Sequence, residues 1–310
     1  MQYFSADDIA SLSMSRRKVL EIAERTIAAL HDGSARMAAR PVIEAANGTR
    51  FMAFPALLQN DGVAGVKWLG IEPFDPAVGQ QNLEASIVLS ALKGGRLLAV
   101  LDARWITAIR TATVSLVAAK RMAQQASTRM AIIACGEQAQ YHLDLFSKAF
   151  PLQECSCFSR RIESAERLAA KARDIGLKAK AYAGLRECVE GADIVVTTSP
   201  VPTETLIEPE WLSPGAFISL VDLGRTINTM ALSSRDQFFV DDLVQFETLM
   251  ANGALKRYAP VRALSLQQLV AENRNCAADG RRKVFLPTGL GAIDIAIARE
   301  VLELSKGPRA

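Results

Sequence analysis

From residue 130 to residue 241 the chain alternates short apolar strands with helices, and this alternation restricts the possible folds more than any other feature. Residues 130–135, 154–159, 178–182, 193–198, 217–222 and 237–241 read as strands, and 138–149, 163–174 and 185–190 as helices. Strands separated by helices are joined by crossovers, which gives a parallel, doubly wound sheet covered on both faces. The fold class expected is therefore α/β, a Rossmann-type unit. The part before residue 100 is patterned differently. Residues 5–30 read as one helix, with Ser5 and Asp8 as a capping box. Short strands at 49–54, 62–69, 85–92 and 97–101 follow, and Lys93-Gly94-Gly95-Arg96 is a hairpin turn between the last two. A long helix covers about 107–123. We expect a discontinuous α+β substrate and dimerisation domain, 1–112 with 285–310, around a dinucleotide-binding domain, 113–284.

The first strand of the alternating region runs into Ala134-Cys135-Gly136-Glu137-Gln138-Ala139 and then a helix. In a dinucleotide site this turn brings backbone N–H groups and a helix N-terminus to the pyrophosphate. Ala134, Gly136, Glu137, Gln138 and Ala139 are the candidate contacts, with Thr198 at the end of the fourth strand as another. Only Gly136 is a glycine, so an ordinary βα turn without cofactor stays open. The second strand ends in Ser159-Arg160-Arg161 rather than the carboxylate that holds NAD ribose hydroxyls. Two guanidinium groups and a hydroxyl suit a 2′-phosphate, so NADP(H) is the expected preference, with NAD(H) possible. Arg160 and Arg161 could instead only solvate the next helix.

Bulk properties remove other classes. In 310 residues the net charge is +3, and Arg16-Arg17-Lys18, the densest basic run, lies within an apparent helix. Nucleic acid is not an expected partner. No apolar run spans a bilayer and the first dozen residues do not resemble a signal peptide, so a cytoplasmic location without membrane contact is expected. Five cysteines without a C-x-x-C pair, and two histidines, argue against a metal site. The cysteines read as small apolar residues.

Further residues carry a family resemblance that runs through nearly the whole chain. Gly65-Val66-Lys67, then Ile106-Thr107-Ala108-Ile109-Arg110-Thr111-Ala112, then Gln138-Ala139 of the cofactor turn occur in the order found in the ornithine cyclodeaminase/μ-crystallin family. Trp211 with Pro214-Gly215-Ala216, and Phe285, Gly289, Ala292 and Asp294, continue the match. The resemblance implies an NAD(P)-dependent homodimer acting on small α-amino, α-imino or α-keto acids. On that basis Lys67 is the expected proton donor and catalytic group. Arg110, Arg40 and Thr111 would bind the substrate carboxylate and its surroundings. Taken alone, Lys67 could point to solvent from an edge strand, and Arg110 could be a surface ion-pair partner.

The chain also departs from the family. Ala134 replaces the first glycine of the turn, Leu286-Pro287 replace the Lys-Ser of its F-K-S segment, and Gly224 falls where cyclodeaminases carry an aspartate. Asp222 is the candidate substitute as second catalytic group. These departures favour an imino- or keto-acid reductase, or amino-acid dehydrogenase, over a cyclodeaminase-like lyase with recycled NAD. A non-catalytic dinucleotide or small-ligand binder is the alternative from another class. Phe54, Trp68 and Leu286 are apolar residues expected near the substrate side chain.

Overall fold

Period-2 alternation builds the first sheet. In a computed structural model, which describes residues 1–75, 82–255, 258 and 262–307, the chain forms two compact units. One comprises Met1–Arg110 with Gly289–Ala310 and the other Thr111–Thr288. Unit 1 contains β1 (Gln2–Phe4), α1 (Ala6–Ser11), α2 (Arg16–Asp32), β2 (Ala35–Met37), β3 (Val42–Glu44), β4 (Arg50–Leu58), β5 (Val63–Ile71), β6 (Leu83–Ala91) and β7 (Leu97–Asp102). Its strand order is β1-β7-β6-β5-β4-β2, with β3 paired to β4. β4 to β7 run antiparallel in sequence order, and β1 joins β7 in parallel.

On β6, Ala85, Ile87 and Leu89 are buried while Glu84, Ser86 and Val88 are exposed, so one face of the sheet is core. Ile87 and Leu89 each contribute roughly 1.5–3 kcal/mol by leaving water. The last helix of the chain, Gly291–Leu304, covers β4 and β5, and residues 291–298 are buried on every side.

The N-terminal helix differs from the expected single one over 5–30. The Ser5–Asp8 capping box forms, but α1 stops after two turns. Ser13 takes a left-handed φ of 48°, and Ser15 caps α2 by accepting the Lys18 N–H. Two consecutive N-cap signals produced two helices, because a serine that can cap competes with continuing the turn.

A helix, α3 (Arg104–Met122), carries the chain out of unit 1. Unit 2 then contains β8 (Arg129–Ile133), α4 (Glu137–Ala149), β9 (Glu154–Phe158), α5 (Ile162–Asp174), β10 (Lys178–Tyr182), α6 (Leu185–Val189), β11 (Ile194–Thr197) and β12 (Phe217–Leu220). After these come β13 (Asp236–Val240), α7 (Leu243–Ala251), β14 (Ala263–Ser265), α8 (Leu266–Ala271) and β15 (Arg282–Leu286), and the last helix of unit 1 is α9. The sheet order is β10-β9-β8-β11-β12-β15-β13-β14, with every pairing parallel.

Both faces of such a sheet are covered, which is why β11 and β12 are buried at every position instead of alternating. The strand order runs outward in opposite directions from β8 and β11, and a doubly wound sheet binds ligands at the strand ends of that switch point. Phe285 and Leu286, read from sequence with the C-terminal piece, lie in β15 between β12 and β13. The chain returns to unit 1 only after Thr288. Among the described residues no helix is long and apolar enough to cross a membrane.

Candidate active site

Lys67 sits at the middle of β5, paired with Phe54 of β4 and Ile87 of β6, on the core face. Its side chain is 0% exposed, so the solvent-facing edge lysine is not what forms. Its neighbour Trp68 points the other way, is 44% exposed and stacks on Phe51 at 5.7 Å. That corrects the expectation of Trp68 near the substrate, because successive strand residues face opposite sides.

Lys67 Nζ is 2.8 Å from Asp294 Oδ2 and 4.7 Å from the centre of the Phe54 ring. Arg110 Nε donates to the other oxygen of Asp294 at 3.1 Å, and Arg40 stands over the same Phe54 ring at 5.2 Å. The backbone at Gly289 faces both arginines: a Cβ there would lie 3.7 Å from Arg110 Nη1 and 3.8 Å from Arg40 Nη1. Lys67, Arg110 and Arg40 are thus brought together, with Phe54 among them.

Asp294 carries no role in the sequence reading beyond its place in the family match. The signal is present: an acidic residue inside Gly291-Ala292-Ile293-Asp294-Ile295-Ala296-Ile297-Ala298 needs a partner, since that stretch is otherwise apolar all round. Gly65 lets α9 come close. A Cβ at Gly65 would stand 2.8 Å from Ile295 Cδ1 of the helix and 2.6 Å from the Val88 carbonyl of β6, so a side chain there would force the Ile295 side chain and the neighbouring strand to shift.

The cluster holds three cations against one carboxylate. Apart from their ion pair, Lys67 Nζ and Asp294 Oδ2 have no aligned hydrogen-bond partner among the described residues. The Lys67 pKa is lowered to about 7: burial is the largest cause, the Arg110 charge adds to it, Asp294 opposes both, and Arg40 adds a small downward push. An ammonium poised near neutrality inside a core exchanges protons readily, which is the property a general acid needs.

In unit 2, β8 ends in a strained turn. Ala134 has φ 66°, a left-handed conformation that costs a residue bearing a Cβ roughly 1–2 kcal/mol. Neighbouring strands hold it there: Ala134 N–H donates to the Phe158 carbonyl at 2.8 Å, and Thr198 Oγ1 donates to the Ala134 carbonyl at 2.6 Å. Gly136 follows as the N-cap of the 13-residue α4, and a Cβ on it would meet nothing within 4 Å. The backbone at this turn therefore faces open space, next to the first N–H groups of a helix, which lack intrahelical partners. Gln138 Oε1, in that first turn, is a buried acceptor without a hydrogen-bond partner among the described residues. Ala139 is buried behind it and Glu137 is exposed.

Ser159, Arg160 and Arg161 follow β9, and Arg161 is the N-cap of α5. Both arginines are exposed. Thr111, the first residue of unit 2, continues α3 directly from Arg110.

Asp222, expected as a second catalytic group, closes a turn instead. Its Oδ1 accepts from Thr197 Oγ1 at 2.8 Å and the Gly224 N–H at 3.0 Å, and its Oδ2 accepts from Thr226 Oγ1 at 2.7 Å. Burial raises its pKa against those hydrogen bonds. Both oxygens are committed to holding the chain between β12 and residue 226.

Sequence reading missed a polar chain in the core of unit 2. His142 Nδ1 is 2.7 Å from the Gln138 carbonyl, His142 Nε2 is 3.0 Å from Ser115 Oγ, and Ser115 Oγ is 2.9 Å from Ser219 Oγ. A carbonyl only accepts, so Nδ1 carries the proton. Nε2 then accepts from Ser115, and Ser115 accepts from Ser219. Burial lowers the His142 pKa to about 4, so the ring stays neutral.

Known proteins are similar to this chain in sequence and in fold. Alanine dehydrogenase of Archaeoglobus fulgidus is 27% identical over 279 residues, 87% of this chain and 85% of that one. Mouse ketimine reductase mu-crystallin is 34% identical over 142 residues, 46% of this chain and 44% of its own. The Δ1-pyrroline-2-carboxylate reductase of Thermococcus litoralis, solved with NADH and L-proline, superposes with a TM-score of 0.85. It is 24% identical, covering 99% of this chain and 98% of that one, which is a likeness of fold. The model of the ornithine cyclodeaminase/mu-crystallin family matches residues 3–304, and the chain belongs to that family.

Proposed function

We propose that this chain is an NAD(P)H-dependent reductase of a small α-imino or α-keto acid, running in reverse as an amino-acid dehydrogenase. The observation that carries the reading is Lys67: a lysine 0% exposed, with its pKa drawn to about 7, beside two arginines in an apolar layer. Relatives named alanine dehydrogenase, ketimine reductase and Δ1-pyrroline-2-carboxylate reductase support the substrate class.

Arg110 and Arg40 bind the substrate carboxylate. Asp294 takes Arg110 Nε, and the terminal nitrogens form the fork that a carboxylate uses. A reduced nicotinamide, when bound, supplies a hydride to the carbon of the C=N or C=O bond. Lys67 supplies the accompanying proton to nitrogen or oxygen, and takes it back in the oxidative direction.

The open turn at Gly136 and the start of α4 fit a pyrophosphate, and structures of this fold that carry NAD or NADH support a nicotinamide cofactor. Ser159, Arg160 and Arg161 would hold a 2′-phosphate, which makes NADP(H) the preferred form. A second copy of the chain would cover the outer face of the unit 1 sheet, where Trp68 and Val88 are exposed.

The test is a titration of purified protein with NADPH and NADH, followed by nicotinamide fluorescence, with mass measured by sedimentation on the same sample. NADPH should bind more tightly, and cyclic imines or keto acids with ammonia should then oxidise it. Binding without turnover on any imino or keto acid would sink the enzyme reading. Stronger binding of NADH would remove the Ser159–Arg161 assignment, and a monomer would remove the second copy.

A further inference from the structure

Asp294 is the single carboxylate facing Lys67 among the described residues, and it touches two candidate site cations with different oxygens. Oδ2 lies 2.8 Å from Lys67 Nζ and Oδ1 accepts from Arg110 Nε at 3.1 Å. The charged groups acting on Lys67 come from three other elements: Asp294 from α9, Arg110 from α3, and Arg40 from the segment after β2. Two of these repel an ammonium and one attracts it. An ion pair placed only for stability would be an inefficient choice here, since a well-packed apolar side chain of similar volume often does as well in a core. The fold also takes specific steps to deliver this carboxylate: Gly65 clears the path of α9, and the helix around Asp294 is otherwise apolar.

We propose that Asp294 is the positioning residue of the site, fixing the span between the proton donor and the carboxylate clamp and holding the proton on Lys67 until substrate is reduced. The inference rests on the reductase reading above. Asp294 itself need touch neither substrate nor cofactor. It sets where Lys67 Nζ and the Arg110 fork stand relative to each other, and it supplies the one negative charge that offsets both arginines at the ammonium.

Asp294→Asn keeps the shape and removes the charge. In protein carrying lysine labelled with 13C at the ε-carbon, the Lys67 signal is identified by its loss in Lys67→Met. Its titration midpoint should fall in Asp294→Asn by roughly one to three pH units, the usual effect of one close opposite charge. The falling limb of reductive kcat/KM should move to lower pH by a similar amount, and KM for the acid should rise as Arg110 loses its aim. Asp294→Glu restores the charge one methylene out of place. It should keep the wild-type midpoint while losing turnover by at least about ten-fold, because donors must be placed to within a fraction of an ångström.

An unmoved midpoint in Asp294→Asn would overturn the proposal. So would Asp294→Glu turning over like wild type, which decides the matter if the asparagine variant does not fold. Wild-type protein inactive on every imine and keto acid would instead sink the reductase reading, while the Lys67 midpoint would still report whether Asp294 holds its proton.

Discussion

Units 1 and 2 each bury a polar cluster, on opposite terms. In unit 1, Lys67, Asp294 and Arg110 bring charges into an apolar layer, and among the described residues Lys67 Nζ has no aligned hydrogen bond. In unit 2, His142, Ser115 and Ser219 bring only neutral groups, and each proton in the chain has a defined acceptor. A satisfied neutral network recovers its desolvation, at a net gain of roughly 0.5–1.5 kcal/mol per hydrogen bond. A buried ion pair loses several kcal/mol per ion and recovers it only with excellent geometry. The unit 2 cluster is explained by packing. The unit 1 cluster is not, and a cost retained without a structural return points to chemistry.

The most direct way to break this contrast is Lys67→Met. Turnover should fall by roughly 10²–10⁴, the range a general acid contributes, and the thermal midpoint should fall as well, because Asp294 Oδ2 is left buried without its ion-pair partner. Turnover that survived would make the unit 1 cluster a structural ion pair like any other. The same lysine sets a pH dependence. Reduction needs Lys67 protonated, so reductive kcat/KM should fall as pH rises through about 7, and the oxidative direction should rise through the same region. A flat profile between pH 6 and 9 (roughly one unit below and two above that midpoint) would exclude Lys67 as the donor.

The reverse signature is expected at His142, in stability and not in rate. Its folded pKa, about 4, lies below the unfolded value of 6.5, so the unfolded state binds the extra proton first as pH falls. Wild-type stability is then intact above about pH 6.5 and declines towards pH 4, by on the order of 3 kcal/mol from this group. His142→Asn should be less stable at neutral pH, from lost hydrogen bonds, but should lack that share of the acid loss. Equal acid sensitivity in urea unfolding of both proteins would show that His142 is not held neutral.

What the sequence disclosed follows the same division. The parallel sheet was legible because strands buried on both faces are continuous apolar runs, as in Ile194-Val195-Val196-Thr197, and helices separate them. Lys67 was not legible from pattern. In Val63–Ile71 both faces are largely apolar, so alternation does not say which side a lysine takes, and its charge argues for solvent. Only the resemblance drew attention to it. Asp294 could have been found from its apolar helix, but its partners lie far away in sequence, 184 residues in the case of Arg110. The His142 chain left no local trace, since two serines and a histidine on separate elements carry no spacing rule. The turn that Asp222 closes was not legible either, because an acidic residue at a strand end has the same appearance whether it binds a ligand or caps its own turn.

The smallest effect expected, and the one that sharpens the comparison most, is at Ala134. Unit 2 carries its own unrecovered cost, placed in the backbone: a residue with a Cβ held at φ 66° by the Phe158 carbonyl and Thr198. Ala134→Gly removes a strain of roughly 1–2 kcal/mol but frees the unfolded chain by about 0.5–1 kcal/mol. The net gain should be about 1 kcal/mol or less, seen as a higher urea midpoint with an unchanged slope. Such a gain, with NADPH affinity altered no more than a few-fold, would mean that the turn's shape is imposed by its neighbours and the alanine merely endures it. A loss of stability would mean instead that the Ala134 methyl is packed and compensates its own strain. Unit 2 would then have no unrecovered cost at this turn, and the contrast with the buried charges of unit 1 would be sharper.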